Sequence, residues 1–201
     1  MIDAGLHPLI RRWLDLPARA LVLAGVGANQ ITLVGFCIGA LALPALAFGH
    51  FWLALLAILV NRLLDGLDGA VAQETRPSDR GAFIDIAFDF VFYALVPMGF
   101  ALADPAANAL PAAVLMVTFV GAGSSFLAFA VIAGQRGMRP EEFPKKGIYY
   151  LGGLAEGAET IGFFVAFCLF PQAFGPLAYL FALACAITTL FRLLQGWKAF
   201  A

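Results

Sequence analysis

The stretch from Asp65 to Asp89 reads DGLDGAVAQETRPSDRGAFIDIAFD, and four of its aspartates form two pairs. Asp65 and Asp68 are spaced i, i+3; Asp85 and Asp89 are spaced i, i+4. On helices each pair occupies one face. The polar connector between them, Gln73 to Arg80, is short enough to make the flanking helices antiparallel neighbours. Four carboxylates can then converge on one point. The apolar runs on either side are long enough to be membrane helices. Carboxylates gathered there repel one another and are costly to desolvate. A hard divalent cation with oxygen ligands is their natural partner. Gly66, Gly69 and Gly81 leave room for a ligand to approach the backbone.

Composition sets the environment. The chain has 201 residues, 62% hydrophobic and 12% charged, with a mean hydropathy of +0.91. That is too apolar for a soluble domain and fits a polytopic, all-α integral membrane protein. The net charge of -1 says little by itself; no nucleic-acid partner is expected. Cys37, Cys168 and Cys185 lie far apart within apolar runs and read as small buried residues. His7 and His50 are isolated and make no ligand set.

Residues 1–28 are mixed. Ile2, Leu6, Leu9 and Trp13 recur at helical spacing beside Arg11, Arg12 and Arg19, which predicts an amphipathic helix on the membrane surface. A signal peptide is the rival reading, with a short apolar run from Ala20 to Val26. Residues 29–201 form the membrane domain, with six apolar segments: about 31–49, 51–72, 81–103, 107–134, 147–170 and 175–194. Each reaches the roughly 20 residues needed to span a bilayer. With the N-terminus inside, all twelve Lys and Arg fall in cytoplasmic connectors, termini or cytoplasmic helix ends. Both termini and the aspartate site then face the cytoplasm, in a multi-pass inner-membrane protein. The aspartate pairs lie about 6–12 Å inside their helix ends at 1.5 Å per residue. A site at that level is open both to a nucleotide from water and to a lipid tail.

The pattern Asp65-x-x-Asp68-Gly69-x-x-Ala72, followed by Gly81-x-x-x-Asp85-x-x-x-Asp89, resembles the signature of the CDP-alcohol phosphotransferases. Two departures stand out. The family's usual Arg after the Ala is Gln73 here, and the connector from Glu74 to Arg80 is one residue short of the usual spacing. Arg76 and Arg80 are candidates to replace the missing charge. The resemblance implies a phospholipid-synthesis enzyme. It would transfer a phosphatidyl group from a CDP-linked lipid, such as CDP-diacylglycerol, to the hydroxyl of a polar alcohol, releasing CMP. It implies that Asp65, Asp68, Asp85 and Asp89 form a centre for two Mg2+ or Mn2+ ions. It also implies that Asp89 takes the acceptor's proton; spacing alone does not choose among the four. Gly69, Ala72, Gln73 and Gly81 would border the donor. Asn29 and Thr32, in the Asn-x-x-Thr lead-in, would do the same or cap a helix. Asn61, one turn before Asp65, would bond substrate, Asp65 or a neighbouring helix. The family also implies a homodimer surrounded by membrane lipids.

The acceptor side is less defined. Glu156 and Glu159 share a face within an apolar segment, and ionisable residues at such depth suggest function. They are expected to line the acceptor pocket or to pair with Arg62 or Arg192. Arg136, Arg139, Lys145 and Lys146 form a basic connector that serves topology and anionic headgroups, or holds a phosphorylated acceptor. Two other readings stay open. An ion or proton transporter could use the buried acids, although they cluster toward one side. A membrane prenyltransferase also uses paired aspartates with magnesium, but it needs a second acidic motif that this sequence lacks.

Overall fold

The computed structural model describes residues 3–138 and 157–201, with side chains from Trp13 onward. Among these residues there are helices and no strand. They are α1 Asp3–Leu23, α2 Ala28–Ala40, α3 Ala42–Ala47, α4 Phe51–Glu74, α5 Asp79–Ala103, α6 Pro105–Gln135, α7 Gly157–Leu169 and α8 Phe174–Ala199. A 3-10 turn, Pro171–Ala173, leads into α8.

Sequence chemistry sets the breaks. The first apolar segment is divided at Leu41 because Pro44 has no N–H to give Ala40, and its ring crowds that carbonyl. Gly25 and Gly49 close α1 and α3 with φ of 77° and 76°, a conformation that glycine adopts without a Cβ penalty. At the second of these, the His50 N–H reaches Ala45 O at 2.8 Å and the Gly49 N–H reaches Leu46 O at 2.9 Å. Ser78 caps α5 by accepting from the Gly81 N–H at 3.1 Å, and Asp104 caps α6 by accepting from Ala107 N–H at 3.1 Å.

Among the described residues, four helical stretches are long and apolar enough to cross a membrane: 28–47, 79–103, 105–135 and 171–199. The 24-residue α4 has the length but carries Arg62, Asp65 and Asp68 from its midpoint onward. The fifth expected segment is described only over α7, 13 residues long. An all-α membrane fold therefore stands, and six spans remain an expectation. Large apolar side chains line the outside, among them Leu33 on α2, Leu59 on α4, Val117 on α6 and Leu190 on α8. So much exposed apolar surface suits lipid, not water.

The interior is aromatic. Phe92, Phe100, Phe164, Phe167, Phe174 and Phe181 are fully buried. Phe100 stacks on Phe174 at 4.4 Å, and Phe163 stacks on Phe181 at 4.3 Å. α5 thus runs from the aspartates at its start into this core at its end. α1 packs on α4 through Ala18 and Val71, and Arg19 Nε pairs with Glu74 Oε1 at 3.2 Å. Trp13 and Leu16 on α1 are turned outward.

Candidate active site

The connector left between α4 and α5 is only residues 75–78. α2 packs against both helices, and α4 and α5 meet through side chains, Arg62 of α4 bonding Asp89 of α5 at 2.7 Å. The carboxylates face one another across a gap with α2 at its side. Both helices also extend two residues beyond the predicted ends, so the carboxylates lie about 9–15 Å inside them.

Asp65, Asp68, Asp85 and Asp89 all line one narrow cleft of about 10 Å3, with Thr32, Gly35, Phe36, Asn61, Arg62 and Phe88. Thr32 Oγ1 donates to Asp68 Oδ2 at 2.5 Å. Arg62 Nη2 donates to Asp89 Oδ1 at 2.7 Å, and its Nη1 lies 3.6 Å from Asp65 Oδ2. Phe36 and Phe88 stack at 4.2 Å and form an apolar wall. Asn61 is buried; its Nδ2 donates to Gly35 O at 3.0 Å, and its Oδ1 accepts from Arg62 Nε at 2.8 Å. It therefore ties α2 to α4 and orients Arg62; the structure gives it no bond to Asp65.

Gly39 makes this tie possible, since a Cβ there would stand 2.8 Å from Asn61 Cγ. Gly39→Ala is expected to destabilise the protein by about 1–3 kcal/mol through overpacking. A thermal melt in detergent would register this as a lower midpoint; an unchanged midpoint would contradict the tight α2–α4 contact.

A wider cleft of about 350 Å3 adjoins the first and shares Thr32, Asp68 and Asp85 with it. Its wall includes Asn29, Gly69, Ala72, Arg76, Ser78 and Gly81. A Cβ added at Gly69 would meet nothing within 4 Å, so this glycine leaves open room in the cleft. A Cβ at Gly81 would stand 2.9 Å from Asn29 Oδ1, so α2 and α5 meet there only because the side chain is absent. Asn29 is not the helix cap: Gly27 holds that position, and its N–H donates to Gln30 Oε1 at 3.0 Å.

Other expected residues lie elsewhere. Gln73 is exposed and lines neither cleft, whereas Arg76 lines the wider one. Glu159 is half-buried in the first turn of α7 and lines neither cleft. Arg136 Nη2 donates to Phe200 O at 2.8 Å and its guanidinium sits over the Phe200 ring, holding the end of α8. Arg192 Nη1 donates to Ala122 O at 2.9 Å. Ser124 and Ser125 bond carbonyls of their own helix. Arg139, Lys145, Lys146 and Glu156 lie outside the described residues. His50 begins α4, 15 residues before Asp65 and about 22 Å from it along the helix. Arg62 and the Phe36–Phe88 stack join the site without being expected from the sequence. Arg62 was visible one turn before Asp65, and Phe88 beside Asp89.

A cleft that joins a glycine-lined recess to four carboxylates in an all-α membrane fold agrees with the comparisons to known proteins. The chain belongs to the CDP-alcohol phosphatidyltransferase family, whose model matches residues 26–191. It is 50% identical over 197 residues to the inner membrane protein YnjF of Escherichia coli (strain K12), covering 98% of this chain and 96% of that one. It is 33% identical over 98 residues to the archaetidylinositol phosphate synthase of Pyrococcus horikoshii, covering 48% of this chain and 52% of the relative. In fold it resembles the crystal structure of Mycobacterium tuberculosis phosphatidylinositol phosphate synthase with CDP-DAG bound. That match has a TM-score of 0.74 at 22% identity, covering 92% of this chain and 94% of the other. The same synthase in complex with manganese and citrate gives a TM-score of 0.72 at 22% identity, covering 92% and 88%.

Proposed function

We propose that this protein transfers a phosphatidyl group from a CDP-linked lipid, CDP-diacylglycerol, to the hydroxyl of a polar alcohol. The observation that carries the reading is the continuity of the two clefts through Thr32, Asp68 and Asp85. A nucleotide seated in the wider cleft would present its diphosphate to the carboxylates. Gly69 and Ala72 would let the nucleoside lie against α4, with Asn29, Thr32 and Gly81 on the facing wall. Arg76, the one cation among the described residues lining that cleft, supplies positive charge that Gln73 does not.

The donor set fits a hard divalent ion such as Mg2+ or Mn2+: four carboxylates line one cleft. As the side chains stand, no group of three acidic or other ligating side chains among the described residues encloses an ion. Two of the carboxylates are engaged with Arg62. Asp65, Asp68, Asp85 and Asp89 are the residues that would hold metal, two ions in this reading. Bound there, divalent ions supply charge neutralisation on the diphosphate and the leaving CMP.

In the transfer itself, the acceptor oxygen forms a bond to the lipid-bearing β-phosphorus. The bond from that phosphorus to the CMP oxygen breaks, and CMP leaves with the electron pair. Asp89 takes the acceptor's proton. Thr32 fixes the carboxylate of Asp68, and Asn61 acts through Arg62. Glu159 and Glu156, with the basic residues Arg136, Arg139, Lys145 and Lys146, remain the proposed acceptor side. Residues 1–28 form the interfacial segment, and residues 29–201 form the membrane domain. The protein would sit in the cytoplasmic membrane with both termini and the active site inside, and the family resemblance extends to a homodimer.

The test is CMP release from CDP-diacylglycerol by purified protein with Mg2+ or Mn2+, against a panel of polar alcohols and their phosphates. Metal-dependent release stimulated by one acceptor supports the reading; no release with any acceptor or metal sinks it. In the same assay Arg76→Ala is expected to raise KM for the donor about tenfold, the loss of one charge-assisted contact. An unchanged KM would remove Arg76 from the donor site.

A further inference from the structure

Arg62 is the one cationic side chain among the described residues of the carboxylate cleft, and it is built in from three helices. Its side chain is 15% exposed. Nη2 bonds Asp89 of α5 at 2.7 Å, and Nη1 faces Asp65 of α4 at 3.6 Å. Nε bonds Asn61 Oδ1, and Asn61 is itself anchored to the Gly35 carbonyl of α2. The guanidinium lies 4.8 Å from the Phe92 ring centroid and 5.7 Å from that of Tyr93. A planar cation held by two carboxylates, an amide and two rings is fixed in place. The two carboxylates it holds belong to opposite walls of the cleft, and both are in the proposed metal set. With Arg62 engaged, no three acidic side chains among the described residues enclose an ion.

We propose that Arg62 is a resident counter-cation of the cleft that competes with divalent metal for Asp65 and Asp89. It positions the two carboxylates while no ion is present and keeps metal affinity low until a diphosphate arrives. The anionic donor then brings oxygens of its own for the ion and offers Arg62 a new partner. This rests on the metal-dependent reading above. The inference has a sign that a merely supporting role does not share. Removing a residue that holds the site together would weaken metal binding. Removing a competing positive charge at contact distance should tighten it.

The experiment is a titration of purified protein with Mn2+ alone, following free Mn2+ by electron paramagnetic resonance, with a thermal melt on each sample. Arg62→Gln is expected to bind Mn2+ about tenfold more tightly than wild type. Arg62→Lys keeps the charge but cannot span both carboxylates, so it should bind about threefold more tightly. Unchanged or weaker binding in Arg62→Gln overturns the proposal. If Arg62→Gln gives no cooperative melt, the Lys variant decides: tighter binding supports competition, and unchanged or weaker binding overturns it. Mn2+ binding to wild type without tightening in the variants defeats the role of Arg62 alone. Absence of Mn2+ binding in wild type and every variant defeats the metal reading with it.

Discussion

In Asp89→Asn, CMP release falls by about 10³-fold, within the range that a positioned general base contributes. The substitution changes charge and proton affinity but not size. The Asn oxygen can still accept from Arg62 Nη2, which holds Asp89 Oδ1 at 2.7 Å in the native protein. The cleft should therefore keep its shape, and CMP binding should stay within a few-fold of wild type. An unfolded variant would lose binding and release together. Release within tenfold of wild type would move the proton-accepting role to another of the four carboxylates.

Gly69→Leu is expected to abolish measurable binding of the CDP-linked donor, a loss of at least about 100-fold, by filling the recess that the substrate needs. The position lines the wider cleft, and a Cβ there touches no other part of the protein. The helix itself should tolerate the change, since Leu is favoured over Gly in a helix interior by up to about 1 kcal/mol. The melting temperature should accordingly hold or rise while donor binding disappears. A variant that binds CDP-diacylglycerol normally would show that the nucleotide lies elsewhere. A variant that melts early would show that the space is not open. This separates Gly69 from Gly39, whose missing side chain serves packing between helices.

The sequence disclosed the carboxylates and the membrane because both are local signals. Spacings of three and four residues put Asp65 with Asp68 and Asp85 with Asp89, and all four line the cleft. Apolar length pointed to a membrane fold, with four stretches among the described residues long and apolar enough to span, and the break at Leu41 could have been read from Pro44. Longer-range facts were hidden. That α2 stands against both α4 and α5 depends on side-chain volumes meeting across helices, as at Gly39 and Asn61. For Arg62, pairing with Glu156 or Glu159 is one of the alternatives that the sequence leaves open. Its carboxylate partners, Asp65 and Asp89, came from its own helix and the next. Gln73, adjacent to Ala72, was expected to face the donor because of its place in the motif; it is exposed. Arg76, in the connector, has no helical periodicity to reveal its direction and lines the wider cleft.

The most direct measurement follows phosphorus. CDP-diacylglycerol labelled with ³²P at the lipid-bearing phosphate is incubated with the protein, Mn2+ and the stimulating alcohol, and the lipid products are separated. The expected result is label in a phosphodiester lipid carrying that alcohol, equal in amount to the CMP formed, with both products lower by about 10³-fold in Asp89→Asn. Label that remains in the donor, or that appears only in phosphatidic acid beside CMP, would contradict transfer to an alcohol.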